Sequence, residues 1–466
     1  MTGRFPNHIT TVQPDNSKGQ DNLCSDFLPL NATILSEKLN QNQNQKKTSN
    51  AAAAQLYDNY FIGKGHLGYE TEDHLPINRG FKSHVGFLAG SESYRYGGGS
   101  INATSGAHDF WKNTKPGYNI VPTLNYATNY YTSVAVDILE RRHSENLVAP
   151  FFMYFSVQNV HSPYELPPTW ETLSYPKMWD KTYANMLHVL DVATLNLTNV
   201  LHRTNEWDNT LILWTSDNGG IGRGNNYPLR GHKHDPWEGG TRATAFLSGG
   251  YLLPHMRGKV SKAFIHISDW YPTLCKLSGR TSSMCSDKQY FSKDGLIHDI
   301  DGVDVWPMLV GLNTTQPREV TPITETSLID VGNSTSSRWW KIITLAGQSV
   351  YYNPNTAKTT NGTDRCLETR QPDPPQPGRT DPLVSGCPVC NSSAPCLYDV
   401  LNDPTEKYNV AKDYPDVVLK LQTQLENFNY YVTGRLTEME LQKNYVKIEN
   451  VNEHWNGYLG PCYLRK

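Results

Sequence analysis

Four short stretches of this 466-residue chain carry side chains that could act on an anion. Phe61-Ile62-Gly63-Lys64-Gly65-His66-Leu67-Gly68 sets a lysine and a histidine two residues apart behind a short apolar run. Its glycines would let backbone approach a phosphate-type group, but the spacing is not that of a P-loop, so a nucleotide reading is poor. Gln158-Asn159-Val160-His161-Ser162-Pro163 follows an apolar run, and Ser216-Asp217-Asn218-Gly219-Gly220 follows another. Taken alone, a histidine in such a place is more often an ordinary loop residue. Asp-Asn-Gly-Gly is by default a turn, because Asn and Gly tolerate positive φ. The fourth stretch, Arg223 to Arg242, threads six potentially cationic side chains through glycines. That local charge suits an anionic substrate, against the alternative of a solvated basic loop.

The elements that must position these groups are legible as apolar patterns. Phe151 to Val157 is a continuous apolar run of strand length, as expected for a parallel strand covered on both faces. Leu211 to Trp214 is a second such run, and between them Tyr183, Met186, Leu187, Leu190, Leu197 and Leu201 recur at helical spacing. The order predicts a βαβ unit, which aims His161 and Asp217-Asn218 at the carboxyl ends of strands, where ligands bind in open parallel sheets. An amphipathic helix is predicted over Thr123 to Arg142, through Tyr130, Val134, Ala135, Ile138 and Leu139. Apolar runs continue at Thr241 to Leu247 and Ala263 to Ile267, and Ser268-Asp269 can cap a helix holding Trp270, Leu274 and Leu277.

The fold class is therefore α/β: a large, mostly parallel sheet flanked by helices over residues 1–335, incomplete at its N-terminus. Beyond Arg338, short strands at Trp339 to Leu345 and Ser349 to Tyr352, a Pro-rich loop at 371–382 and a helix over Tyr414 to Asn427 predict a smaller domain, 336–466. Residues 41–55 are a low-complexity insertion.

Composition closes off other classes. With 38% hydrophobic and 11% aromatic residues the chain can bury a core, so disorder as the main state is excluded. A formal charge of −3 supplies no whole-protein field for nucleic acid. No run approaches the ~20 apolar residues that cross a bilayer. The start, Met1 to Pro6, has no signal-peptide pattern. Eight cysteines and seven sequons (Asn31, Asn102, Asn196, Asn313, Asn333, Asn361, Asn391) nevertheless look extracytoplasmic. Cys387-Pro-Val-Cys390, with Cys366 and Cys396 near, reads as disulfides or as a zinc knot, and the sequons favour disulfides.

Gly63 to Gly68, Val160 to Pro163, Ser216 to Gly220, Pro228-Leu229-Arg230-Gly231-His232-Lys233 and Trp237-Glu238-Gly239-Gly240 resemble, in order, successive motifs of the sulfatase family, closest to its arylsulfatase B (N-acetylgalactosamine-4-sulfatase) type. The resemblance continues through Ile265 to Leu274 and Leu397 to Glu406. It implies an alkaline-phosphatase-like α/β domain, a small C-terminal domain with an antiparallel sheet and a helix, and sulfate ester hydrolysis by a formylglycine beside one Ca²⁺. By resemblance, Lys64 contacts the sulfate and the nucleophile, and His66 handles the formylglycine hydroxyl proton. His161 sits at the sulfate and the leaving oxygen, Lys233 holds a sulfate oxygen, and Asp217 and Asn218 bind the metal. Implied partners are a sulfated glycan or aryl sulfate and, for a full-length form, the formylglycine-generating enzyme. A lysosomal or secreted location is implied for that form.

No Cys or Ser here stands in the C/S-x-P-x-R motif that yields formylglycine, and Met1-Thr2-Gly3-Arg4 looks like the segment that follows it. The expectation is a chain whose nucleophile and Asp-Asp metal strand lie upstream. Gly65 replaces a usual Trp, and His232 a frequent Arg. Two alternatives accompany this reading. A metal-dependent phosphodiesterase or phosphatase would be expected to show His where Asn218 stands. An inactive relative would use the cationic residues to bind sulfated partners.

Overall fold

A computed structural model describes the chain except residues 6–27, 42–55, 96–107, 118–119, 121–124, 168–179, 288–298, 314, 334, 347–350, 353–366, 369–389, 430–444, 448–450, 455, 457, 459–460, 462 and 466. The low-complexity insertion beyond Gln41, the Pro-rich loop, Cys24, Cys366, Cys387 and Cys462, and the sequons at Asn102 and Asn361 thus lie outside the described residues. The chain forms two compact units: Met1–Asp208 with Ile267–Gly302 and Val432–Lys466, and Asn209–His266 with Val303–Tyr431.

The first unit is built on a five-stranded mixed sheet. Strand β1 (Asp58–Lys64) pairs in parallel with β2 (Ser83–Phe87) and β5 (Phe151–Ser156). The short strands β3 (Trp111–Lys112) and β4 (Lys115–Pro116) add antiparallel at the β2 side, giving the order β4-β3-β2-β1-β5. Tyr60, Phe61 and Ile62 of β1 are buried on both faces, as suits an interior strand between β2 and β5. Helices α1 (Ala127–Ser144) and α2 (Lys181–Arg203) cover one face, where Tyr131, Ala135, Ile138, Met186 and Val189 meet Tyr60, Ile62, Val85 and Phe87. Asp180 caps α2 by accepting the Tyr183 N–H at 2.8 Å. On the other face lie Phe61, Phe81 and Ile34. Tyr271 and Cys275 of α3 (Trp270–Leu277) pack with Leu35 and Leu39. Cys275–Cys285 is a disulfide.

The second unit holds an antiparallel pair, β6 (Ile212–Thr215) with β7 (Ala245–Ser248). It also holds a four-stranded antiparallel sheet of β8 (Val320–Thr324), β9 (Ser327–Asp330), β10 (Trp340–Ile343) and β11 (Cys396–Asp399), ordered β11-β10-β9-β8. One face carries Leu328, Ile342 and Leu397 and is covered by Leu421 and Leu425 of α4 (Pro415–Asn429). The other carries Ile329, Ile343 and Tyr398 against Trp237. Cys390–Cys396 is a disulfide, so this pair is bridged rather than held by zinc.

One expectation changes. The predicted βαβ unit does not form one ladder: among the described residues β5 pairs with β1 and β6 pairs antiparallel with β7. A short apolar run states that a strand is buried but not which partner it takes. β5 is covered on both faces as expected, with Phe151, Met153 and Phe155 against the cluster of Tyr60 and Ile62 and with Phe152 and Tyr154 against that of Phe61 and Phe81. All six of its residues are half-buried, and among the described residues its ladder partner is β1.

Candidate functional site

In the first unit, three of the expected residues stand at or just beyond the carboxyl ends of parallel strands. Lys64 ends β1. Before it, Gly63 (φ +103°) lies opposite both Gly86 of β2 and Ser156 of β5. A Cβ on Gly63 would come within 2.1 Å of the Ser156 carbonyl oxygen, and one on Gly86 within 1.9 Å of the Gly63 oxygen. Gly63 and Gly86, lacking side chains, let the three strand ends approach so closely. Past β1 the chain stays beside the segment after β2, with Gly65 N–H donating to Phe87 O (2.7 Å) and His66 N–H to Leu88 O (2.9 Å). A Cβ on Gly65 would meet that same Phe87 oxygen at 2.8 Å, so this backbone favours glycine there. His66 then turns at φ +51°, with its imidazole Nε2 lying 2.9 Å from where a Cβ on Gly90 would be.

His161 follows β5 in a tightly bonded loop. Its N–H donates to Gln158 O (2.8 Å), and its carbonyl accepts from Tyr94 O–H (2.9 Å). Nδ1 lies 2.7 Å from Ser162 O, which places the proton of a neutral ring on Nδ1 and the lone pair on Nε2.

Beneath this end of the sheet lie buried ionisable groups that the sequence reading passed over. Burial holds the Glu92 carboxyl well above the carboxylate range, and Tyr131 donates its hydroxyl to it. Burial raises Asp109 to about 6, although it accepts the Leu88 and Ala89 N–H groups. Burial also keeps His74 and His84 neutral, with pKa values lowered to about 3. The signs oppose. The two carboxyls give stability at low pH that is lost as pH rises, through about 6 for Asp109 and well above the ordinary glutamate value for Glu92. The histidines give stability above the ordinary histidine value that is lost as pH falls towards about 3. Above about pH 6.5 the histidine terms are complete and do not overlay the Glu92 contribution. The urea midpoint of Glu92→Gln should therefore gain on the wild type progressively as pH rises above the ordinary carboxylate range. A pH-independent difference would refute the assignment.

In the second unit, Asp217, Asn218 and Lys233 come from loops laced by main-chain bonds. Gly219 N–H donates to Gly240 O (3.0 Å), Lys233 N–H to Gly220 O (3.2 Å) and Gly239 N–H to Arg230 O (2.6 Å). A Cβ on Gly219 would fall 1.7 Å from Gly239 O. Asn226, also missed in sequence, ties the loops: its Nδ2 donates to Gly220 O and Gly231 O, and its Oδ1 accepts Gly220 N–H (2.7 Å). Asp217 is exposed and Asn218 half-buried, with Asn218 Nδ2 donating to Gly219 O.

The basic stretch is less cationic than its composition. Arg230 is 1% exposed, with its guanidinium 3.7 Å above the Trp237 ring. Arg242 Nε pairs with Glu238 at 2.6 Å. Burial, then Lys233 and His232, lower the His234 pKa. These three are structural or uncharged groups at neutral pH. Glu238 and Glu406, from motifs far apart in sequence, meet at Lys341, which lies 2.8 Å from one and 3.0 Å from the other. Glu406 also accepts Glu238 N–H at 2.7 Å. Burial pulls Lys341 down, but the two carboxylates outweigh it and raise its pKa. Burial raises Glu406 to about 7, while Lys341 and Arg242 overcome burial at Glu238 and lower it.

Among the described residues no three His, Cys, Asp or Glu side chains cluster as metal ligands. Asp217 and Asn218 offer oxygens of the kind hard Ca²⁺ takes, but fewer than its usual six to eight ligands.

The Sulfatase family profile matches residues 6–280. Arylsulfatase J of Mus musculus is 28% identical over 449 residues, covering 92% of this chain and 67% of the relative. The chain spans 53% of the length of two further curated sulfatases. The crystal structure of Ps i-CgsB is similar with a TM-score of 0.64 at 22% identity, covering 92% of this chain and 80% of that one. That protein has also been solved in complex with k-i-k-neocarrahexaose. The PsFucS1 sulfatase from Pseudoalteromonas sp. follows with a TM-score of 0.57 at 18% identity, covering 93% and 80%. The expected alkaline-phosphatase-like fold is thus present, while the arylsulfatase B type is not singled out.

Proposed function

Because the chain belongs to the sulfatase family, we propose that it serves hydrolysis of sulfuric esters of the arylsulfatase type, on sulfated glycans. The observation that carries this reading is Lys64, His66 and His161 at or beyond the carboxyl ends of adjacent parallel strands β1 and β5. A sulfuryl group in transfer spreads negative charge over its oxygens, and fixed cations stabilise that charge. In the first unit Lys64 and His161 would take sulfate oxygens, Lys64 would also face the nucleophile, and His66 would hold the nucleophile's hydroxyl proton. His161, when protonated, would donate from Nε2 to the leaving oxygen. In the second unit Lys233 offers a charge for a sulfate oxygen, and Asp217 and Asn218 would hold one Ca²⁺, which would supply positive charge. The nucleophile would be a formylglycine, made by the formylglycine-generating enzyme. A lysosomal or secreted glycoprotein agrees with exposure of all five described sequons, Asn31, Asn196, Asn313, Asn333 and Asn391.

The test is a hybrid in which a relative's upstream segment, with C-x-P-S-R and the Asp-Asp strand, precedes this chain and is expressed with the formylglycine machinery. It should hydrolyse nitrocatechol sulfate in multiple turnovers, and the 466-residue chain alone should give background. A folded, formylglycine-bearing hybrid without turnover would favour the inactive, sulfate-binding alternative. The chain alone should also bind Ca²⁺ weakly, because Asp217 and Asn218 by themselves supply too few oxygens. Submicromolar affinity by calorimetric titration would show that further ligands exist within it.

A further inference from the structure

The loop bearing His161 is held by a partner that no motif marks. Gln158 spends both ends of its side-chain amide on the main chain of one residue. Glu92 N–H donates to Gln158 Oε1 (2.6 Å), and Gln158 Nε2 donates to Glu92 O (2.7 Å). Gln158 then accepts the His161 N–H on its own carbonyl. Both residues are buried, at 4% and 0% exposure. The lacing extends outwards, with Tyr94 N–H donating to Glu165 Oε2 (2.8 Å) and Tyr94 O–H to His161 O. On the far side Asn159 Nδ2 donates to Met186 O (2.8 Å).

We propose that Glu92 and Gln158 form a clamp that positions His161: Gln158 fixes the histidine loop, and Glu92 fixes Gln158. The Glu92 side chain is part of the device. One carboxyl oxygen takes the Tyr131 hydroxyl, and the other is buried with no hydrogen-bond partner among the described residues. Tyr131 of α1, Asp109 before β3 and Glu165 beyond β5 face it, and none is a cation. Such a carboxyl is stable only when protonated, so the clamp holds in acid and loosens when Glu92 ionises. This proposal rests on the functional reading for the task of His161 alone.

The experiment is NMR of the full chain labelled at histidine, with the His161 signals identified by His161→Ala. Gln158→Leu should shift them and move the His161 titration midpoint by about half a pH unit or more, leaving His108 and His202 unchanged. Glu92→Gln, which keeps the main-chain bonds and cannot ionise, should show the wild-type His161 signals at pH 6. It should keep them as pH is raised, whereas the wild-type signals depart once Glu92 ionises. Gln158→Leu with wild-type circular dichroism and unmoved His161 signals overturns the proposal. If that variant fails to fold, Tyr94→Phe is read instead, with a smaller shift expected and an unmoved signal again overturning it. Added sodium sulfate tests the functional reading separately. If it leaves wild-type His161 unmoved, that reading is weakened, whereas the clamp is judged on the variants.

Discussion

Lys341→Ala is expected to destabilise the second unit by about 3–5 kcal/mol, the usual cost of removing one partner from a buried ion pair. The side chain is fully buried between Glu238 and Glu406, so its loss leaves two carboxylates facing each other away from water. Glu238 keeps Arg242, but Glu406 has no comparable substitute in this cluster. Glu406→Gln should cost far less, because its carboxyl, raised to about 7, is already partly protonated near neutrality. Urea unfolding followed by limited proteolysis within 303–431 reads this directly. Equal losses for the two variants, or a loss below about 1 kcal/mol for Lys341→Ala, would show that the cluster is better hydrated than its burial indicates.

In the active hybrid, Lys233→Ala should lower turnover ~100- to 1000-fold, about 2.7–4 kcal/mol, by analogy with deleting one oxyanion donor. His161→Ala should be comparably damaging, and more so for sulfate esters with poor leaving groups, as expected of a proton donor to the leaving oxygen. The dependence on leaving group separates the two. Lys233 supplies charge whatever departs, so its effect should vary little along an aryl sulfate series. Turnover unchanged by both substitutions in a folded, formylglycine-bearing hybrid would overturn the residue roles while leaving the family intact.

The pattern of side chains disclosed most of the elements. The helix expected over 123–142 is α1, and the apolar run at 151–157 is β5. Residues expected at strand ends stand there because a strand's length is legible in its apolar run. What was hidden has a common cause. Strand partners depend on contacts distant in sequence. A cationic composition cannot say that Arg230 stacks on Trp237 rather than facing solvent. Gln158, Asn226 and Lys341 act by bonding main chain or buried carboxylates, and neither task leaves a local signature.

The lacing of the second unit's loops carries a thermodynamic obligation. Gly220 accepts the Lys233 amide hydrogen and is gripped by Asn226, one turn beyond Asp217 and Asn218. If a cation sits on the latter pair and a sulfate on Lys233, neither can settle without setting the backbone that serves the other. Any gain in sulfate affinity that the cation produces must then be returned by sulfate to the cation, by the same factor.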